Sequence, residues 1–319
     1  AVNTGGNKIK MEMLISLLFL VVGFVMLVKG ADWFVDGSAG LASRLGIPQL
    51  VIGLTIVAMG TSAPEAAVSI TAALKGSADI TIGNVVGSNI INVLVILGLA
   101  ATLTTIAVAK STITREIPFM IFATLLLLVL GLDGTISLLD GVILWAFFLL
   151  YLFYLFRMAR SGNGENEEIK ADRPLWQMGL WTVVGLVCIV AGSNVTVNAA
   201  SNIARILGLS ERLIGLTIVA LGTSLPELFT SVSAARRGNA DIAIGNIVGS
   251  NIFNILFVVG TSALVTPVPF VRAFLSDTVI AVVAAVLLLL CCLHRSRLSH
   301  RSGVTLLTSY VTYFILVLL

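Results

Sequence analysis

The sequence predicts an all-α integral membrane protein, with ten transmembrane helices arranged as two inverted five-helix repeats. Three observations carry this expectation. First, of 319 residues 58% are hydrophobic and only 11% are charged, against about 25% charged in a soluble domain. Second, apolar runs of about 20 residues, enough to cross the hydrocarbon core, recur along the whole chain. Third, Gly53–Asn92 shifted by 162 residues falls on Gly215–Asn254 without a gap, identical at 27 of 40 positions.

Residues 1–10, "AVNTGGNKIK", are polar and unlike the rest; they read as a tail, a processed end or an expression remnant, and are set aside. The run after Lys10 is long enough to span. Asp32, Asp36 and Gly37 follow where a cleavage site would need small residues, which argues against a signal peptide. Ten segments follow: 14–37, 47–74, 79–102, 117–133, 138–158, 177–200, 210–235, 241–265, 273–293 and 303–319. The one clear polar break, 159–176, "ARSGNGENEEIKADRPLW", separates a first repeat, 11–158, from a second, 177–319. Asp133 and Asp140 bracket "LDGTISLLDG" and read as turn residues. Asp32 and Asp36, whose repeat equivalents are Asn194 and Asn198, read as interfacial. Asp79 and Asp241 open the polar helices of each half and read as N-caps.

Basic residues orient the chain. With the N-terminus outside, cytoplasmic segments hold twelve Lys and Arg and outside segments six, with Lys29 near a membrane end. The linker is then cytoplasmic and both termini are outside, in a plasma-membrane protein. Five spans per half is an odd number, so the second copy enters from the opposite side. Inverted repeats of this kind place a substrate site near the midplane, where interrupted helices of both halves meet.

Each copy carries a glutamate inside an apolar run: Glu65 in "GTSAPE" and Glu227 in "GTSLPE". A charge at membrane depth costs about 2.5–3.5 kcal/mol on insertion scales, and two facing each other also repel. Thr61, Ser62 and Ser69 share a helical face with Glu65, and Thr223, Ser224 and Ser231 with Glu227. Pro64 and Pro226 lack an N–H and clash with the carbonyls of Gly60 and Gly222, freeing a backbone oxygen beside each carboxylate. In "IGNVVGSNIIN" and "IGNIVGSNIFN", Asn84, Ser88 and Asn92, and then Asn246, Ser250 and Asn254, form polar stripes spaced by four. Single Asn, Ser and Thr residues in membrane helices more often brace helices than bind ligands; the two glutamates have no basic neighbour to pair with. All these donors are oxygens, which suits a hard cation, Ca²⁺ above all. Cys188, Cys291 and Cys292 lie in apolar runs without metal-ligand spacing, and His294 and His300 flank a basic loop. They read as packing and surface residues, not as a cofactor site.

The paired motifs "GTSAPE" with "GNVVGSNIIN" and "GTSLPE" with "GNIVGSNIFN" resemble the two α-repeats of the Ca²⁺/cation antiporter superfamily, of the sodium/calcium exchanger type. The resemblance implies a site built by the second and third helix of each half, for which Ca²⁺ and Na⁺ compete. It implies shared carboxylates at Glu65 and Glu227, backbone oxygens of Thr61 and Thr223 on Ca²⁺, and mid-site amides at Asn92 and Asn254. Ser62, Ser88, Ser224 and Ser250, and the carbonyls of Ala58 and Ala220, correspond to Na⁺ ligands. The first helix of each half, 14–37 and 177–200, would slide to open one side at a time. Some members carry Asp where this chain has Asn254, so a third carboxylate is missing; the first motif reads S-A-P instead of S-L-P; the linker is too short for large regulatory Ca²⁺-sensing domains. The expectation is an antiporter of Ca²⁺ and Na⁺ in a lipid bilayer, not an enzyme, acting as a monomer, without cofactor or nucleic-acid partner. Ca²⁺/H⁺ exchange is the nearest alternative, since protons also neutralise two glutamates. A channel fits the occluding, paired plan less well. An intramembrane hydrolase lacks H-E-x-x-H, G-x-S-x-G and a histidine at membrane depth.

Overall fold

The computed structural model describes residues 3–161, 174–209, 218, 220–293 and 295–318. Among them the chain forms helices joined by short turns and by two small ribbons. The helices are α1 (Asn3–Leu45), α2 (Gln49–Thr61), α3 (Ala63–Leu74), α4 (Asp79–Leu103), α5 (Thr112–Asp133), α6 (Leu138–Ser161) and α7 (Leu175–Ile206). After them come α8 (Ala220–Thr223), α9 (Leu225–Arg236), α10 (Ala240–Val265), α11 (Arg272–Leu293) and α12 (His300–Leu318). Seven of these are long and apolar enough to cross a membrane, or eight when the bent pair α2–α3 counts as one span. Of the two remaining expected spans, 303–319 falls in α12, and 210–235 runs partly outside the described residues before reaching α8 and α9. The segment 162–173, most of the expected linker, is also outside them. The polar stretch at residues 1–10 is helical from Asn3, continuous with α1.

The depth of each helix in the bundle follows its sequence. The membrane-length stretch of α10 is 94% buried and that of α4 72%, against 17% for α1 and 28% for α6 and α11. The helices carrying the polar stripes are therefore the centre of the bundle, and α1, α6 and α11, which lack such a stripe, are its lipid-facing rim, as their exposed Leu14, Leu18, Leu149 and Leu290 attest. A polar stripe can sit in the middle only because the partner helices supply hydrogen bonds that lipid cannot.

Two close approaches hold the frame. Antiparallel α1 and α7 meet along glycines spaced by seven: a Cβ at Gly23 would lie 2.3 Å from Thr196 Oγ1, one at Gly30 2.9 Å from Ile189 N, and one at Gly37 2.6 Å from Thr182 N. From the other side, a Cβ at Gly185 would lie 2.4 Å from Phe34 N. Small residues at such seams let membrane helices gain van der Waals contact that lipid tails do not offer. The ribbons tie loops together: Ile106 pairs with Leu298, and Ile136 with Val268. Adding 162 to 106 and to 136 gives 268 and 298, so each ribbon is the repeat copy of the other.

The turn residues behave as local chemistry requires. Asp140 accepts hydrogen bonds from Ser137 N and Oγ, both at 2.7 Å, while its own N–H donates to Ser137 Oγ at 3.3 Å. This reciprocal box caps α6. Asp133 accepts from Thr135 N at 3.1 Å. Asp79 and Asp241 are not N-caps: Ala78 and Asn239 hold those positions, and the aspartates lie in the first turn, where a negative charge suits the helix dipole. Cys188, Cys291 and Cys292 are free thiols within helices.

Candidate functional site

The site begins with a broken helix. Pro64 has no N–H to give the Gly60 carbonyl, and the chain turns at Ser62 (φ −82°, ψ 5°). The axes of α2 and α3 differ there by 50°. Ser224 repeats the turn with φ −88° and ψ 3°, ahead of Pro226. Each break puts a hydroxyl at the corner and a glutamate in the first turn of the next helix. The second proton-free carbonyl does not stay open: Ser193 of α7 donates its Oγ to Gly222 O at 2.7 Å. The repeat position of Ser193 is Ala31, which has no hydroxyl.

The two breaks meet. Ser62 Oγ donates to Glu227 Oε1 at 2.9 Å, across the two halves. Thr61 Oγ1 lies 3.0 Å from Asn246 Oδ1, and Ser250 Oγ donates to the Ala58 carbonyl at 3.3 Å. Glu65 and Glu227 are each 1% exposed. Neither oxygen of Glu65 and only one of Glu227 accepts a hydrogen bond among the described residues. Ser224 Oγ, Asn92 Oδ1 and Asn254 Oδ1 are likewise buried and unpartnered. Three carboxylate oxygens, two amide oxygens and a hydroxyl without donors are costly in a bundle interior, and every one belongs to the expected set. Thr61, Ser62, Ser88, Ser250 and Ala58 are buried in the same centre. Thr223 is half-buried, and Ala220 opens α8.

The amides are oriented by residues that spacing alone did not single out. Asn89 donates Nδ2 to Asn251 O at 3.2 Å and Asn251 donates Nδ2 to Asn89 O at 3.1 Å, cross-bracing α4 and α10. The side-chain oxygens left over then hold the site amides: Asn92 Nδ2 donates to Asn251 Oδ1 at 2.9 Å, and Asn254 Nδ2 to Asn89 Oδ1 at 3.2 Å. With its N–H₂ engaged, each site amide presents its oxygen. The visible signal was the identical "GSN" in both copies, but Asn89 and Asn251 sit one residue off the four-spaced stripe. Asn84 and Asn246, which do lie on the stripe, are braces: each donates to the serine (Ser69 or Ser231) at 2.9 Å and to a glutamate carbonyl (Glu65 at 3.2 Å, Glu227 at 3.4 Å).

Asp32 and Asp36 lie outside this centre, paired with Arg237 at 3.0 and 2.5 Å, with Ser233 Oγ donating to Asp32 at 2.8 Å. No cluster of three or more His, Cys, Asp or Glu occurs among the described residues. The donors around the two glutamates are therefore hydroxyl, amide and backbone oxygens.

Fold and site together define an integral membrane protein of two homologous helical halves around one buried, oxygen-lined centre. The chain belongs to the sodium/calcium exchanger protein family, whose profile matches residues 15–157 and again 178–319. It is an exchanger family, not an enzyme family. Over 312 residues the chain is 40% identical to "Putative antiporter CaxA" of Alkalimonas amylolytica, covering 94% of this chain and 98% of that protein. It is 34% identical over 346 residues to "Sodium/calcium exchanger MaX1" of Methanosarcina acetivorans, at 94% and 98% coverage. A solved structure of the sodium-calcium exchanger NCX_Mj, soaked with 10 mM Na⁺ and zero Ca²⁺, superposes with a TM-score of 0.83 at 31% identity, covering 95% of this chain and 99% of that one.

Proposed function

We propose that the protein is a secondary antiporter that exchanges Ca²⁺ for Na⁺ by alternating access, with the ions bound between the two repeats. The observation that carries this reading is the pair of buried glutamates from opposite halves, Glu227 taking a hydrogen bond from Ser62 of the other half and the remaining carboxylate oxygens short of donors. Two carboxylates facing each other in a low-dielectric interior repel far more strongly than they would in water. A divalent cation, or several monovalent ones, must fill the centre before it crosses between sides, and obligatory exchange follows. Glu65 and Glu227 are the charged ligands. Thr61, Thr223, Ala58 and Ala220 offer backbone oxygens, Ser62, Ser88, Ser224 and Ser250 hydroxyls, and Asn92 and Asn254 amide oxygens. A cage of hard oxygens with two formal charges favours Ca²⁺ over softer metals.

The remaining architecture belongs to the same proposal: ten spans, the second five inverted, N- and C-termini outside and the linker cytoplasmic, functional as a monomer. The antiparallel seam between α1 and α7, and the two ribbons exchanged by the repeat, support the inversion. The pair α1–α7 is the moving element, a glycine-lined unit without a site carboxylate. In proteoliposomes, ⁴⁵Ca²⁺ uptake should follow an imposed Na⁺ gradient. Uptake driven by a proton gradient and indifferent to Na⁺ would instead establish Ca²⁺/H⁺ exchange, and conductance far above carrier turnover a channel.

A further inference from the structure

A second polar centre sits on the rim of the bundle, between α5 and α6, neither of which carries a residue proposed for the ion site. Glu116 closes the widened first turn of α5, Thr112–Glu116, and is 1% exposed. Tyr154 of α6 donates its hydroxyl to Glu116 Oε1. Among the described residues the other oxygen, Oε2, has no partner, and neither does the hydroxyl of Tyr151, which is 4% exposed and stacks on Phe119 at 5.2 Å. Both residues line a crevice of about 320 Å³ whose other walls are Phe119, Phe147, Leu150 and Tyr154, together with the exposed Arg115. Its lining is aromatic and aliphatic apart from these few polar atoms.

The depth of the crevice follows from α6. Arg157 and Arg160 lie over the rings of Phe153 and Phe156, at 6.0 and 5.1 Å. Both rings are more than half exposed, at 59% and 56%. Arginines folded back on lipid-facing aromatics mark a membrane interface. At about 1.5 Å per residue, Tyr154 lies about 4.5 Å inside Arg157, and Leu150 and Phe147 about 10 and 15 Å inside. The polar end of the crevice is thus at headgroup depth and its apolar walls are at acyl-chain depth. Leu150 is 60% exposed, so the crevice opens to lipid.

We infer that this crevice binds a phospholipid with a primary-amine headgroup, an ethanolamine phospholipid. Its ammonium supplies the charge-assisted donor that Glu116 Oε2 lacks and a second N–H for the Tyr151 hydroxyl. Arg115, one residue from Glu116, exposed and lining the same crevice, meets the phosphodiester on the same short tether. The glycerol and first methylenes lie along Phe119, Phe147 and Leu150. A trimethylated amine carries the same charge but no N–H, and the headgroup of phosphatidylglycerol offers only neutral hydroxyl donors on a net anionic lipid that a carboxylate repels.

Native mass spectrometry of the purified protein, with equal amounts of added phosphatidylethanolamine, phosphatidylcholine and phosphatidylglycerol, tests this. A hydrogen bond to a charged group is worth about tenfold or more in binding. The ethanolamine lipid should be retained about tenfold over the choline lipid. Glu116→Gln keeps the volume and an acceptor for Tyr154, and should bring that ratio to within about twofold. Leu150→Trp fills the mouth from the lipid side without touching Glu116; it should lower retention of the ethanolamine lipid and stands in where Glu116→Gln does not fold. Equal retention of the three lipids by the parent, preference for phosphatidylglycerol, or an unchanged ethanolamine preference in the folded variants overturns the assignment.

Discussion

Asn251→Leu tests the amide brace in a residue that touches no proposed ion directly. Asn251 is 3% exposed. It gives Nδ2 to the Asn89 carbonyl at 3.1 Å and takes Asn92 Nδ2 at 2.9 Å. Leucine removes both bonds at similar volume. Interhelical hydrogen bonds in membranes average about 0.6 kcal/mol and reach about 1.7, so their loss costs roughly 1–3 kcal/mol. The Asn89 carbonyl still lies within its helix; the Asn92 amide N–H₂ is left buried without its acceptor, a penalty of about 1–3 kcal/mol. Asn92 relieves it by turning over, which points N–H groups where Oδ1 faces the centre. A cation then loses an oxygen ligand and meets a donor. The affinity for Ca²⁺ should fall by about tenfold to a hundredfold, since each factor of ten is about 1.4 kcal/mol. Calorimetric titration of the purified protein with Ca²⁺ reads this directly. Asn89→Leu should reproduce the loss through Asn254. In a double-mutant cycle Asn251→Leu should add little to Asn92→Ala, because the first acts through the second. Affinity within twofold of the parent, or strict additivity in the cycle, refutes the reasoning.

Glu65→Gln and Glu227→Gln should each abolish ⁴⁵Ca²⁺ exchange while the protein still inserts; near-normal exchange by both would remove the carboxylates from the site. Gly185→Leu drives a side chain into the Phe34 backbone, where even a Cβ would lie 2.4 Å away; it should slow exchange by tenfold or more. Gly179 on the same helix has open space for a Cβ, so Gly179→Leu should leave exchange unchanged, and equal effects would detach the seam from transport. A single cysteine at Asn163, in a background without the native cysteines, should label only after the cells are permeabilised, and labelling of intact cells with an accessible inner membrane would reverse the orientation. Asp140→Ala removes the capping box of α6 and should cost about 1 kcal/mol of stability, read as a lower unfolding midpoint in detergent with exchange retained.

Much of the centre was legible in one dimension. Glu65 and Glu227 stand out because a carboxylate in an apolar run needs a compensating partner, and the 162-residue repeat requires that whatever compensates one also serves the other. Pro64 and Pro226 announce the breaks because a missing N–H is a property of the residue itself. The stripes Asn84–Ser88–Asn92 and Asn246–Ser250–Asn254 follow from helical periodicity. The division of labour within them does not. Asn84 and Asn246 brace neighbouring helices, while Asn92 and Asn254 present their oxygens, because Asn89 and Asn251 hold the other end of each amide from the facing helix. Ser193 caps the Gly222 carbonyl although α7 carries no motif. Arg237 finds Asp32 and Asp36 from 205 and 201 positions away. Glu116 acquires Tyr154 only through the packing of α5 on α6. Charge, proline chemistry and periodicity act along a single segment and are therefore written in its residues. Which donor meets which acceptor is decided by distance between segments, and in a helical bundle that distance is set by how closely the helices pack.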